Sequence, residues 1–374
     1  MSKFSIKTIK IGVSDFHGAY EEQALNAPDG LEYVELKRLR MGSKLLQSPI
    51  KGYFSQFDEI DCDIIESVIS PVVTNKPWVY SIACFQEALA FNFFGAPSPK
   101  VCRLLLMQYL IQKDNCKKIV FWSEAGKKTL ASYGGITTGK IHEKSTVVYP
   151  AIRVSSLDKV EKSDRQTTFF FSGDFFRKGG VNVIDSFESL AQMHKNIKLI
   201  ICSDVNIDFN TQNTELKQTY LTKITKNSAI ELVGRVKRDA LIKHILPKVD
   251  VLLLPTYNEA FGFAALEAMA FGIPVIATNP MALPEIISHQ NSGFLIDVSE
   301  YDLDEIFKGY RVDYIPPDFN KKVTHQLTTY METLITSPEL RKSMSEVSMN
   351  IANEKFSFAQ RNKKMQEIYA EIIN

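Results

Sequence analysis

The chain has 374 residues and a formal charge of +1, with 44 Lys plus Arg against 43 Asp plus Glu. Hydrophobic residues make up 45% and charged residues 23%, which fits a soluble globular protein and excludes a disordered chain. Near neutrality also excludes a nucleic-acid coat or histone-like role, and the length suits two domains of about 150 residues each. Cys62, Cys84, Cys102, Cys116 and Cys202 are widely spaced, with no C-x-x-C pair, so neither a disulfide framework nor a zinc site is expected. An odd cysteine count, a polar and basic Met1 to Lys10, and no long apolar run lead us to expect a cytoplasmic protein without a transmembrane helix.

In chain order, Ile9 to Val13 predicts a first strand, followed by Leu31 to Leu36, Cys62 to Val68, Trp78 to Ala83, Lys118 to Trp122 and Thr146 to Tyr149. Pro99 to Gln112 and Glu124 to Ser132 read as helices between them. Strands alternating with helices predict a parallel sheet with right-handed crossovers. Ala151 to Thr168 is largely polar and reads as an inter-domain linker. The alternation then restarts. Phe169-Phe170-Phe171 opens a buried strand ending at Ser172-Gly173, and Val183, Phe187, Leu190, Ala191 and His194 fall at helical spacing. Lys198 to Cys202, Ile230 to Val233, Val249 to Leu254, Ile273 to Ala277 and Gly293 to Ile296 follow as strands. From Tyr301 the chain reads as helical, with Met365, Ile368, Tyr369 and Ile372 on one apolar stripe.

The stretch from Val251 to Asp297 carries the chemistry. Glu259 and Glu267 stand with seven residues between them. Pro255 and Asn258 favour a loop, Ala264 to Met269 favour a helix, and Gly272 with Pro274 stops it. Glu259 therefore sits on the loop and Glu267 about one turn inside the helix. The first helical N–H groups, near Gly262 to Ala265, lack intrahelical partners and form an anion site between the carboxylates. A diphosphate at that helix start, ribose hydroxyls at Glu267 and sugar hydroxyls at Glu259 give the order of a nucleotide-sugar. Two carboxylates beside a diphosphate need cations. Gly173-Asp174-Phe175-Phe176-Arg177-Lys178-Gly179-Gly180, after the Phe169 strand, supplies Arg177 and Lys178.

These residues resemble the E-x7-E element of retaining GT-B glycosyltransferases of the group 1, or family 4, type. Phe171 to Gly180 resembles that family's phosphate loop, Ile230 to Arg235 its strand and Gly turn near the nucleobase, and Leu283 to Ile287 with Asn291 to Leu295 its closing elements. Phe121 to Glu124 and Val147 to Pro150 match its last N-domain strands. The match covers most of residues 117 to 297. The resemblance implies an α/β chain with GT-B architecture, two Rossmann-like domains with parallel sheets facing across a cleft. Residues 1–154 would bind the acceptor, 155–355 the nucleotide-sugar, and a final helix at 356–374 would return to the N-domain.

It further implies transfer of a hexose-type sugar from an NDP-sugar to an acceptor hydroxyl with retention and no obligatory metal or other cofactor. UDP-sugar is preferred over GDP-mannose on family frequency alone. Glu259, Lys178 and Arg177 would act catalytically. Glu267, Phe261, Gly262, Phe263, Ala264, Gly173, Arg235, Gly18 and His17 would bind the donor, the last two by their place in the loop after the first strand. The acceptor is a glycan, a lipid-linked species or a small molecule. Two departures stand out. Gly173-Asp174 replaces the family's frequent Gly-Arg, and no His occurs in Ser81 to Cys84, where many members carry one facing the donor sugar. The missing His admits a second reading, a catalytically silent nucleotide-sugar-binding subunit. A related GT-B epimerase or phosphorylase is a third. Gly134 to Lys140 mimics a Walker A loop, but Ile141 replaces the required Ser or Thr, so it reads as a surface turn. Lys37, Arg38, Arg40, Lys44 and Lys51, interleaved with leucines, make an acid-free amphipathic stretch suited to peripheral contact with an anionic membrane; its alternative is a solvated helix.

Overall fold

The computed structural model describes residues 8–14, 19–36, 61–68, 71–85, 92–93, 96–97, 100–153, 166–208, 210–307 and 311–373. Gly18, His17, the basic stretch at 37–51 and residues 155–165 of the predicted linker lie outside the described residues. The chain divides into two compact units, Met1–Arg153 with Lys355–Asn374, and Val154–Glu354.

The first unit holds a six-stranded parallel sheet built from β1 (Ile9–Val13), β2 (Leu31–Glu35), β3 (Ile64–Val68), β4 (Trp78–Ile82), β5 (Cys116–Phe121) and β6 (Ser145–Val147), in the order β2-β1-β3-β4-β5-β6. Neighbouring residues on each strand face opposite sides, as the pleat requires. Ile65, Tyr80, Ile119 and Phe121 join one core cluster, while Ile64, Val79 and Val120 join the other. The C-terminal helix, Phe358–Ile373, packs on this second cluster through Met365, Ile368 and Tyr369. Its Tyr369 hydroxyl donates to Glu66 Oε2 at 2.7 Å and lies 3.3 Å from the Tyr33 hydroxyl.

The second unit is also a six-stranded parallel sheet, from β7 (Thr167–Ser172), β8 (Ile197–Cys202), β9 (Ile230–Leu232), β10 (Val251–Leu254), β11 (Val275–Thr278) and β12 (Gly293–Ile296), in the order β9-β8-β7-β10-β11-β12. Parallel sheets are buried on both faces, which is why Phe169-Phe170-Phe171 and Leu252-Leu253-Leu254 read as unbroken apolar runs. Strand order runs outward from β7 to β9 and then restarts at β10 on the other side. The loops leaving β7 and β10 consequently diverge at a topological switch point, the place where open α/β sheets bind ligands. Helix α1 (Gly180–Met193) covers β7, and its Val183, Phe187 and Leu190 share a core with Phe319, Val323, Leu327 and Met331 of the helix Pro317–Thr336.

Many element ends shift by one or two residues from expectation, among them the starts of β7 and β11 and the end of α1. Thr167 and Thr168, assigned to the linker, are buried and open β7, because Thr167 N–H donates to Asn196 O at 3.0 Å. His194 lies just past the end of α1 in extended backbone. The strand expected at Ile273 begins at Val275. Gly272 takes a left-handed φ of 61°, Ile273 N–H still bonds Ala268 O of the preceding helix, and Pro274 has no N–H to offer the ladder. Residues 134–140 form turns and loop after the helix Glu124–Ser132 and open the short helix Lys140–Glu143, as expected for that Walker-like stretch.

Candidate functional site

The site is built on two loops of the second unit. The first leaves β7 at Gly173, whose φ of 105° turns the chain sharply off the strand. Hydrogen bonds to the loop and within it fix its course. Gly173 N–H donates to Cys202 O at 3.3 Å, Ser203 Oγ donates to Gly173 O at 2.5 Å, Lys178 N–H to Asp174 O at 2.9 Å, and Phe176 N–H to the buried Asp208 Oδ2 at 3.1 Å. Gly179, with φ of 79°, then starts α1, and a Cβ there would stand 2.1 Å from the Pro255 carbonyl oxygen. The second loop runs from Pro255 to Gly262. It is pinned to the first by Tyr257 N–H to Arg177 O at 3.0 Å and to β11 by Thr278 Oγ1 to Thr256 O at 2.6 Å.

A buried polar chain anchors the second loop from below. The Tyr257 hydroxyl donates to Asn182 Oδ1 at 2.5 Å, and Asn182 Nδ2 donates to Asn320 Oδ1 at 2.6 Å and Thr324 Oγ1 at 2.8 Å. The Tyr257 ring stacks on Phe307 at 4.7 Å between centroids and meets Phe319 edge-on. Burial holds the Tyr257 hydroxyl far above the ordinary tyrosine range, so it stays a neutral donor. Sequence reasoning missed Asn182, although a polar residue among Val181, Val183 and Ile184 signals an interior partner.

Gly262 caps helix α2 (Phe263–Ala270) with φ of 110° and offers no side-chain cap to the first-turn N–H groups. Phe261 and Phe263 stand on either side, their rings 5.0 Å apart. Ala264 lies in the first turn, and Glu267 follows one turn into the helix.

Four cations and three carboxylates gather here. Lys178 Nζ bonds Glu259 Oε2, and the two side chains are only 11% and 12% exposed. Burial pulls the Lys178 ammonium below the ordinary lysine range, while the Glu259 charge opposes that shift. Arg177 bonds Asp174 Oδ2 through Nε at 3.1 Å and Nη2 at 2.7 Å, and Arg235 Nη2 reaches Asp174 Oδ1 at 3.1 Å. Arg238 Nε donates to Glu267 Oε1 at 2.6 Å. The sequence-predicted Lys178 and Glu259 are thus brought into contact, and Arg177 and Arg235 meet on Asp174, one of the two departures noted in the sequence. Arg238 was not anticipated. Ser81, in the segment without a His, accepts from Trp122 Nε1 at 3.0 Å, and Cys84 is buried.

The family model for glycosyl transferases group 1 matches residues 155–307. A D-inositol 3-phosphate glycosyltransferase of Corynebacterium kroppenstedtii is 23% identical over 305 residues, 74% of this chain and 57% of that protein. An uncharacterized 41.2 kDa protein in the cps region of Klebsiella pneumoniae is 28% identical over 174 residues, 44% of this chain and 45% of that protein. The chain spans about half the length of the curated relatives it matches. Among solved structures, Anabaena HepE in complex with UDP and glucose superposes with a TM-score of 0.64 at 16% identity, covering 97% of this chain and 100% of that one. WaaG, a glycosyltransferase involved in lipopolysaccharide biosynthesis, gives a TM-score of 0.61 at 17% identity, covering 96% and 99%. Residues 155–307 thus match the glycosyl transferases group 1 model, and the chain has the GT-B fold.

Proposed function

We propose that the chain is a retaining glycosyltransferase that moves a hexose-type sugar from an NDP-sugar to an acceptor hydroxyl. The observation that carries this reading is the Lys178–Glu259 pair at the switch point, beside the uncapped start of a helix that bears Glu267. Departure of the nucleoside diphosphate builds negative charge on phosphate. Lys178, Arg177 and the α2 N–H groups answer it with charge already in place, the kind of term that often dominates catalysis. Glu259 accepts from sugar hydroxyls, and Glu267, steadied by Arg238, accepts from ribose hydroxyls. These cations from the chain itself carry the charge in a reaction we propose to need no metal. Crystals of HepE were obtained with UDP-glucose, which supports UDP over GDP for the first trial. The acceptor is a glycan, a lipid-linked species or a small molecule, and the first unit is proposed to bind it. Among the described residues no helix is long and apolar enough to cross a membrane. We propose a cytoplasmic protein with peripheral contact through the basic residues at 37–51.

The test is release of UDP from UDP-glucose, with water as the surrogate acceptor, by wild type, Lys178→Ala and Glu259→Gln. Each substitution lowers turnover by about 10²–10³-fold, as for loss of one preorganised donor. Wild-type turnover by Lys178→Ala sinks the reading. A silent nucleotide-sugar-binding subunit is the second reading, motivated by Ser81, whose hydroxyl already accepts from Trp122, in the segment without a His. Tight UDP binding with no turnover on any acceptor selects it.

A further inference from the structure

We propose that Asp174 is an internal competitor for the phosphate-binding arginines, lowering the affinity of the site for the nucleoside diphosphate. The inference rests on the donor-site reading above and adds to it a residue that sets how firmly the product is held.

The hydrogen-bond partners of the Asp174 side chain are Arg177, through Nε and Nη2 on one oxygen, and Arg235 on the other. A guanidinium grips a phosphate through the same Nε and Nη2 fork. The arginines come from different loops, Arg177 from the turn after β7 and Arg235 from the turn after β9. One carboxylate therefore fills both at once, as a phosphate would.

The backbone groups of the loop are bonded without this carboxylate. Asp208 receives the Phe176 N–H, Ser203 holds the Gly173 carbonyl, and the Lys178 N–H goes to the Asp174 backbone rather than its side chain. The loop is thus held without the Asp174 carboxylate. What the carboxylate does is electrostatic. It relieves repulsion between the two arginines when no anion is bound, and it opposes an anion that arrives. With Glu259 and Glu267 it brings the site to three carboxylates against Arg177, Lys178, Arg235 and Arg238, close to balance before any ligand enters. A diphosphate must displace Asp174 from Arg177 to gain that fork, and an uncharged nucleoside has no means to do so. The same repulsion speeds departure of the diphosphate after transfer, a step that often limits turnover.

The test is calorimetric titration of UDP, GDP and uridine into wild type, Asp174→Asn and Lys178→Ala at low salt, with Asp174→Ser as a second variant in case Asn perturbs the loop. Asp174→Asn binds UDP or GDP about tenfold more tightly than wild type, the effect of removing one unit charge from a partly exposed anion site. Its affinity for uridine is unchanged, and its unliganded melting temperature falls as the arginines lose their counter-charge. Nucleotide binding by Asp174→Asn alone, with wild type inert, also supports the proposal. Unchanged or weaker diphosphate binding by both Asp174 variants overturns it while leaving the donor-site reading intact. Equal tightening for uridine overturns it too, because Asp174 would then act on the nucleoside end. Absence of UDP and GDP binding by wild type and both Asp174 variants, or full binding by Lys178→Ala, overturns the donor-site reading and the proposal with it.

Discussion

Gly179→Ala tests whether the two site loops are held together by contact. Gly179 and Gly234 have nearly the same backbone, φ of 79° and 80°. An alanine at either carries the left-handed penalty of about 1–2 kcal/mol, and both gain the same small stabilisation from a stiffer unfolded chain. They differ in surroundings. A Cβ at Gly234 meets nothing within 4 Å, whereas one at Gly179 stands 2.1 Å from Pro255 O and 3.0 Å from Pro255 Cγ. A backbone carbonyl cannot swing aside as a side-chain tip does, so the loops must part, at about 1–3 kcal/mol of overpacking. Gly179→Ala is therefore less stable than Gly234→Ala by about 1–3 kcal/mol, or about 2–12 °C in melting temperature for a unit of this size. Far-UV circular dichroism is the probe, because Trp78 and Trp122 both lie in the first unit. Nucleotide binding falls in parallel, since moving the loops separates Lys178 from Glu259. Equal destabilisation by the two alanines refutes the reasoning, because the comparison removes every contribution except the contact.

Three further outcomes follow from Lys178 and Tyr257. Burial lowers the Lys178 ammonium below the ordinary value of 10.5, so nucleotide affinity declines as pH rises through that lowered value. The same depression means the folded state binds fewer protons, so this lysine's contribution to folding stability rises with pH between the lowered value and 10.5. Titration of UDP from pH 7 to 10.5 checks the first sign, urea unfolding the second, and Lys178→Arg, always charged, flattens the binding limb. Tyr257→Phe leaves Asn182 Oδ1 buried without its donor and costs about 1–3 kcal/mol, read as a fall in the unfolding midpoint. An unchanged midpoint would show that the hydroxyl does not anchor the loop.

The sheets were legible because parallel strands buried on both faces leave continuous apolar runs, and β1 and β12 matched their predicted bounds. Edges were less so. Pro274 and the left-handed Gly272 delay β11, and nothing in Thr167-Thr168 announces that their N–H groups find partners in Asn196 and Asp250. At the site, Glu259, Glu267 and Lys178 were legible from local pattern. Glu267 on an apolar helix demanded a partner, and the partner is Arg238, 29 residues earlier. Asp208 and Asn182 act on Phe176 and Tyr257 across 32 and 75 residues. Such pairings are set by which loops the switch point brings side by side. Asp174 was visible as a departure from Gly-Arg, yet its two arginines could be found only in three dimensions.

The Asp174 and Lys178 ion pairs differ in exposure, and on the proposed reading that difference would order the events of binding. Arg235 is 55% exposed, and an exposed pair of that kind contributes about 0–1 kcal/mol, whereas Arg177 and Asp174, 23% and 18% exposed, are held more firmly. Lys178 and Glu259 are shielded, and breaking a buried pair by removing one partner costs about 3–5 kcal/mol. On the donor-site reading proposed above, an incoming diphosphate would therefore exchange with Asp174 and leave Lys178 on Glu259. It need not compete for that bond, because an ammonium has three donors and Glu259 takes one. Lys178 can then face carboxylate and phosphate together, and Glu259 stays fixed where the sugar would arrive. On that reading the buried pair would supply geometry that does not change on binding, and Arg177 and Arg235 would supply attraction that Asp174 moderates.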